Sequence, residues 1–491
     1  MFLYNRIIKK GGIVFDSDRL QNYIQRRMTI MNEFMESKRR FGGRILKSRN
    51  MLVKIKEHLN NFRSGSTDRH WVIIPGLRGT GKTTLLAQTY FFIKNNYKDA
   101  NAIYFSVDDA NTNGFRLKDL LEEYITQIKM IPETAKNVFI LLDEIQSDYD
   151  WAKTLKVFHD RCPGVFLVCS GSSAVNLQTN ADIAGRRANI DCLYPMSFCE
   201  YEFIKYGLYP ITGLKARIND AIYESSSAQE CYEKLKSCEP DIEKYRKSIG
   251  RNHWANYIHT GSIPFTLAIE DKGEVYKQIL QTVEKVIYKD LPQIDSIDPK
   301  SIPVAKSLLV LLAEADTISV NKVSSILNSS NITIANILNA LCKAELIIDV
   351  VPYGSNFTAA KKSHKYLFSS SVVRSALNYM NGTRSSEEVA EGRILEDVMG
   401  LQFYKRNGVY YNGSIFYDSS QGGADFIIKT GDSAVVFECG RGEKTGAQVE
   451  HTMKQIPCIK YGITVCNTPN IRLSDSKTSV FMPWRVFALA G

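Results

Sequence analysis

The stretch WVIIPGLRGTGKTTLLAQTYFFIK, residues 71 to 94, leaves the backbone few options. An apolar run is followed at once by Gly76, Gly79 and Gly81, then by residues whose apolar members recur at helical spacing. A strand has to stop, a loop able to take left-handed angles has to follow, and a helix has to begin. The loop, Gly76-Leu77-Arg78-Gly79-Thr80-Gly81-Lys82-Thr83, fully matches G-x-x-x-x-G-K-[ST] in the strand-to-helix setting that motif requires. Glycines let successive N–H groups converge on an anion, and the helix start adds its dipole. Lys82 brings an ammonium to the β- and γ-phosphates, Thr83 offers a hydroxyl to Mg²⁺, and Thr84 follows in the same turn. ATP with Mg²⁺ is the expected ligand, cradled by residues 76 to 84.

Further short apolar runs follow: AIYFSV at 102 to 107, VFILL at 138 to 142 and VFLVCS at 165 to 170, separated by helical patterns. Runs apolar at nearly every position suit strands covered on both faces, so residues 71 to 206 read as a parallel α/β sheet. FILLDEIQ ends its strand in two acids. Asp143 is placed to hold the Mg²⁺ shell, and Glu144 to polarise the attacking water. In VCSGSSA, Ser170 and Ser172 are candidates for contact with that water or the γ-phosphate, or are simply polar turn residues. Arg186 or Arg187, in IAGRRANI, could stabilise transition-state charge as an arginine finger, or be a surface charge.

The net charge of +10 has a location: residues 1 to 70 carry 16 Lys and Arg against 6 Asp and Glu, and the remainder is balanced. That leader reads as helical and basic, suited to nucleic acid or an acidic partner, or as a solvated face. Residues 207 to 300 read as mostly helical, with polar turns such as EKLKSCEPDIEKYRKS and a break at Pro264. From 301 to 379, three helical patterns precede two β-like runs, IIDVVPY and KYLFSS, the order of a winged helix-turn-helix. MNGTRSSEEVAEG, 380 to 392, reads as a linker, and 390 to 491 as one helix with several strands. No apolar run approaches the roughly 20 residues of a membrane span, and the amino terminus lacks the pattern of a secretory signal. The ten cysteines form no C-x-x-C pair and lie partly inside apolar runs. Reduced, buried thiols in a cytoplasmic protein are expected.

Taken in order, LRGTGKTTLL, ILLDEIQ, CSGSSA, GRR, YPMSFCEYEF, YIHTGSIPF and VIYKDLP resemble a family of prokaryotic AAA-like P-loop ATPases. Members of that family join the ATPase to a winged helix and a carboxy-terminal domain of restriction-endonuclease-like fold. The resemblance spans about 71 to 491 and implies an extra strand between the two nucleotide motifs and kinship with origin-binding initiators. The phosphate loop departs from the family in keeping only Arg78 of a more arginine-rich pattern. In a nuclease of that fold, a helix glutamate, a strand aspartate and an acid-x-Lys triplet surround one or two metal ions. Glu396, Asp425 and Glu438 resemble that set, but the triplet reads Glu438-Cys439-Gly440 and lacks its lysine, for which Arg441 or Lys444 would have to substitute.

For the winged helix, the reading helix NITIANILNALCKAEL offers Asn331, Thr333, Asn336 and Asn339 with Lys343 as its cation, while the hairpin adds Lys361, Lys362, His364 and Lys365. Phosphate contacts from the hairpin and leader would give salt-sensitive binding to double-stranded DNA of low sequence selectivity. The expectation is an ATPase, DNA-associated, whose nucleotide state alters the arrangement of the later domains. The alternatives are a nucleotide-gated switch binding a protein partner or itself, and an ATP-dependent nuclease with a degenerate metal site.

Overall fold

The structure, a computed structural model, describes residues 17–41, 43–128, 137–171, 187–293, 297–315, 317–355, 362–382, 386–410 and 415–491. The chain divides into two compact units, Met1–Pro75 with Lys82–Leu193, and Gly76–Gly81 with Tyr194–Gly491. Among the described residues no helix is long and apolar enough to cross a membrane.

The first unit is an α/β sheet. Its strands are β1 (Trp71–Pro75), β2 (Asn101–Ser106), β3 (Val138–Asp143), β4 (Val165–Gly171) and β5 (Ala188–Ile190). All pair in parallel, in the spatial order β2-β3-β4-β1-β5. β4 therefore lies between the strand that enters the glycine loop and the strand that ends in Asp143, the extra strand that the resemblance implies. Every residue of β1, β3 and β4 is buried, as their unbroken apolar runs require.

The basic leader is part of this unit. Helix α1 (Ser17–Lys38) buries Leu20, Ile24, Met31 and Met35, and α2 (Met51–Ser64) buries Leu52, Ile55, Leu59 and Phe62. Both stripes join the core cluster formed by the sheet. Several leader cations are engaged within the unit: Arg27 pairs with Asp109, Arg39 and Arg40 pair with Glu36, and the Arg39 guanidinium lies 3.8 Å over the Phe91 ring. α3 (Lys82–Asn96) follows the glycine loop, and α4 (Trp151–Arg161) precedes β4.

In the second unit, α5 (Phe198–Tyr206), α6 (Leu214–Tyr223), α7 (Ala228–Arg246) and α8 (Lys272–Lys285) come first. The segment read as polar turns lies almost entirely inside α7, with Pro240 within the helix. The reason is periodicity: Cys231, Leu235, Cys238, Ile242 and Tyr245 form one buried stripe. Pro264 does mark a break, opening a short 3₁₀ turn, Pro264–Ala268. Next come α9 (Ile302–Glu314), α10 (Val320–Ile326) and α11 (Asn331–Lys343), followed by the antiparallel hairpin β6 (Ile347–Pro352) and β7 (Lys365–Phe368).

That hairpin is not a free wing. β6 pairs in parallel with β8 (Ile415–Tyr417), so the hairpin closes one end of a mixed eight-stranded sheet. The others are β9 (Phe426–Thr430), β10 (Ser433–Cys439), β11 (Ile459–Cys466), β12 (Arg472–Leu473) and β13 (Ser479–Pro483), in the order β12-β13-β11-β10-β9-β8-β6-β7. α12 (Ser371–Asn381) and α13 (Glu387–Tyr410) precede β8, and α14 (Ala447–Gln455) lies between β10 and β11. The stretch read as a linker is therefore partly helix, since α13 starts at Glu387. Arg374 of α12 and Asp397 of α13 are almost fully buried and bidentately paired, at 2.6 and 2.8 Å. Arg374 also donates to the carbonyls of Leu312 and Ala313 at the end of α9.

In the first unit, His70 stacks on His159 with ring centroids 3.7 Å apart, and its Nδ1 lies 2.6 Å from the Val165 carbonyl. Burial, and then the neighbouring His159, push the His70 pKa down to about 4. An unfolded histidine titrates near 6.5, so between about pH 6.5 and 4 only the unfolded chain takes the proton. The contribution of His70 is thus complete above about pH 6.5 and declines by roughly 3 kcal/mol as the pH falls toward 4. Urea unfolding of the wild type and of His70→Gln at pH 7.5 and pH 4.5 should show a smaller loss of stability in the variant. Equal losses would mean that His70 is not the titrating group.

Candidate functional site

Asp143 ends β3 at the carboxyl edge of the parallel sheet and is 4% exposed. Thr83 Oγ1 donates to its Oδ2 at 2.6 Å, and the Tyr104 hydroxyl to the same oxygen at 3.1 Å. The buried Ser170 hydroxyl and, at 3.1 Å, the Glu144 N–H donate to Oδ1. Ser170 is thus committed to Asp143 rather than turned to a ligand. Burial, then the charge of Asp143, push the Tyr104 pKa up, which keeps the phenol a donor. Thr83 and Asp143 put a hydroxyl and a carboxylate oxygen side by side, the hard oxygen donors that Mg²⁺ takes. The donor set fits that ion.

Glu144 has φ 55° and ψ 45°, left-handed angles that cost a non-glycine residue on the order of 1 kcal/mol. Gln146 Nε2 donates to its Oε2 at 2.5 Å. Lys82 opens α3 and is buried. The Thr84 hydroxyl donates to the Lys38 carbonyl at the end of α1, 3.1 Å away. Arg187 immediately precedes β5, whose Ala188 lies level with Trp71 at the start of β1. The glycine loop leaves the other end of β1, about 13 Å along the strand. Arg187 is paired there with Asp160, at 2.6 Å. Ser172 and Arg186 lie outside the described residues, as does Lys361 of the hairpin.

The loop itself, Gly76–Gly81, belongs to the second unit. Gly79 and Gly81 have φ of 86° and 92°. A Cβ on Gly79 would lie 2.6 Å from the Phe265 ring, so this position requires glycine on steric as well as backbone grounds. Leu77 is buried and its carbonyl accepts the Thr80 hydroxyl at 2.8 Å. Arg78 grips Asp290 with two hydrogen bonds, of 2.9 and 2.7 Å, and the Asp290 side chain is 2% exposed. Phe265 and Asp290 come from GSIPF and VIYKDLP, motifs noticed in the sequence without a role.

Glu396, Asp425 and Glu438 also gather in the second unit. Glu396 and Asp425 line its cleft of about 1110 Å³ with Arg393, Lys444 and Gln448. Lys365 of β7, which the sequence offered as a hairpin cation for phosphate contact, is instead buried beside these carboxylates. Its Nζ lies 2.7 Å from Glu396 Oε2 and 3.2 Å from Asp425 Oδ1. Burial would pull this ammonium down, but Glu396 and Asp425 outweigh it and hold Lys365 above the usual lysine range. Lys444 Nζ lies 3.2 Å from Glu438 Oε1. His364 is paired with Asp349 at 2.8 Å, and Lys362 donates to Ser419 at 2.8 Å. On α11, Asn331, Ile332 and Asn339 are exposed while Thr333 and Asn336 are half-buried.

Residues 68–202 match the family described as an AAA domain, and residues 251–384 match a domain of unknown function, DUF8612. The chain is similar to the Walker-type ATPase paby2304 of Pyrococcus abyssi at 15% identity and a TM-score of 0.42, covering 69% of this chain and 97% of that one. It is also similar to the ORC1 protein of Aeropyrum pernix, solved in complex with DNA, at 13% identity and a TM-score of 0.29, covering 67% and 91%. The uncharacterized protein MJ1544 of Methanocaldococcus jannaschii is 25% identical over 389 residues, 77% of this chain and 76% of that protein. Over 490 residues, 98% of its length, the chain is 30% identical to the uncharacterized protein MJ1637 of the same organism, 95% of which is covered, and it belongs to the family of that protein.

Proposed function

We propose that this protein is a cytoplasmic ATPase whose nucleotide loop is read by its second unit. The observation that carries the reading is the Asp143 carboxylate, held beside Thr83 and followed by Glu144 in a strained conformation at the carboxyl edge of a parallel sheet. Lys82 and the loop amides of residues 76 to 81 hold the phosphates. Thr83 and Asp143 hold Mg²⁺, which when bound neutralises phosphate charge. Glu144 orients the attacking water and accepts its proton. The ten cysteines, most of them buried and none in a C-x-x-C pair, suit a reducing compartment.

Coupling runs through Arg78. A ligand that draws on the loop changes what Arg78 offers Asp290, and so biases the helices that carry Asp290 and Phe265. Within the second unit, α9 to α11 with the β6–β7 hairpin act as a winged-helix-like element, and residues 390 to 491 as an endonuclease-like element. DNA association rests on the surface cations of the leader, such as Arg44 and Lys47. A protein partner is the second reading, favoured by the exposure of Ile326 and Ile332 (53% and 74%) beside an α11 face of neutral residues.

Calorimetry should register ATP binding. Lys82→Ala should lower turnover at least ~100-fold, and Glu144→Gln should bind ATP while hydrolysing it more slowly by about 10²- to 10⁴-fold. Wild-type turnover in Lys82→Ala would remove the assignment. Asp290→Ala should weaken ATP binding by roughly tenfold, with partial recovery in the double variant with Arg78→Ala. An unchanged Kd in a folded Asp290→Ala protein would show that the pair does not report on the loop. Gel shifts at rising salt, on the wild type and on Arg44→Ala with Lys47→Ala, address DNA. If these cations meet phosphates, the salt slope should fall by about one per removed charge. No shift at low salt would leave the protein partner.

A further inference from the structure

The endonuclease-like resemblance implies a divalent ion among Glu396, Asp425 and Glu438. Most of their oxygens are already engaged by ammonium groups or a backbone N–H, although Glu438 Oε2 is buried without a hydrogen-bond partner. Both oxygens of Asp425 are taken, one by Lys365 and the other by the Cys439 N–H at 2.9 Å. Glu396 Oε2 is taken by the same lysine, whose side chain is 7% exposed, and Glu438 Oε1 is taken by Lys444. Among the described residues, no group of three or more His, Cys, Asp and Glu is arranged to hold a metal ion.

The chain is built to bring these ammonium groups in. A Cβ at Gly440, where the triplet would carry its lysine, would lie 2.2 Å from Lys444 Cε. The Lys444 stem therefore runs through the space a side chain at 440 would fill, and glycine there is what lets it reach Glu438. Lys365 enters from the edge strand β7 and ties that strand to α13 through Glu396 and to the start of β9 through Asp425.

We propose that this cluster is a metal-free lysine lock: the Lys365 ammonium holds the place of the divalent ion, joins the β6–β7 hairpin to the carboxy-terminal strands, and makes the cleft non-hydrolytic. Charge decides the matter. Three carboxylates with one lysine leave two net negative charges for a metal to neutralise, whereas the second lysine halves that attraction. Displacing Lys365 would also strand a buried ammonium without its partners, which is strongly destabilising. The inference stands independently of the nucleotide site.

Mn²⁺ binding to the full-length, nucleotide-free protein, followed by electron paramagnetic resonance, tests the lock. The wild-type isotherm should be unchanged by Asp425→Asn or by Glu438→Gln. Lys365→Ala should gain one Mn²⁺ site that Asp425→Asn removes again, and Lys365→Met serves as a bulkier second variant. A wild-type Mn²⁺ site lost in either carboxylate variant would overturn the proposal. So would nicking of supercoiled plasmid in Mg²⁺ by the wild type but not by Asp425→Asn, or a folded Lys365→Ala that gains no site. Should neither Lys365 variant fold, the wild type against the two carboxylate variants still decides.

Discussion

A carboxylate taken out of water has to be met by donors or a cation, and three buried aspartates with a half-buried fourth govern how this chain is tied together. Asp143 gathers Thr83, Tyr104 and Ser170 at the edge of the parallel sheet. Asp290 receives Arg78, Asp397 receives Arg374, and Asp425 receives Lys365. Each pairing joins segments far apart in sequence, and each is fixed because leaving either partner alone would cost more than the pair gains. Apolar packing builds the layers, and these ions set the register between them.

The loop shows how two such demands meet. Gly79 has no room for a side chain against Phe265, and Arg78 next to it is held by two of its three guanidinium nitrogens. The loop thus has its backbone shape imposed by glycines and its position imposed by a side chain from the second unit. A phosphate binder with this arrangement is pre-organised, since the amides need not be ordered on binding. The arginine the family resemblance left unexplained therefore has a structural partner.

What the sequence made legible was local. Unbroken apolar runs announced β1, β3 and β4, the glycine spacing announced the loop, and the strand ending in Asp143 followed from FILLD. The failures were of two kinds. In α7, lysines and glutamates around Pro240 suggested turns, yet the buried stripe from Cys231 to Tyr245 keeps helical period and prevails; the spacing of Cys231 and Cys238, seven residues apart, is two turns of that stripe. The other kind was partnership: Tyr104 with Asp143, Asp290 with Arg78 and Lys365 with Glu396 are separated by 39, 212 and 31 residues. No periodicity carries that information, because a side chain's partner is set by topology rather than by its neighbours in the chain.

The hairpin is the clearest case, and it constrains any switching mechanism. Its sequence reads as a wing, and wings are usually exposed edges rich in cations. Here β6 has β8 alongside it, Lys365 is buried, and His364 faces Asp349. Arg374 further binds the end of α9 to Asp397 of α13. Helices α9 to α11 therefore cannot swing against the eight-stranded sheet without breaking strand pairing and a buried ion pair together. In the coupling proposed here, the signal acts through the Arg78–Asp290 pair, a joint at which the loop meets the rest of the second unit. One end of it sits on the glycine loop, and the guanidinium retains 23% exposure through which water can compete for it.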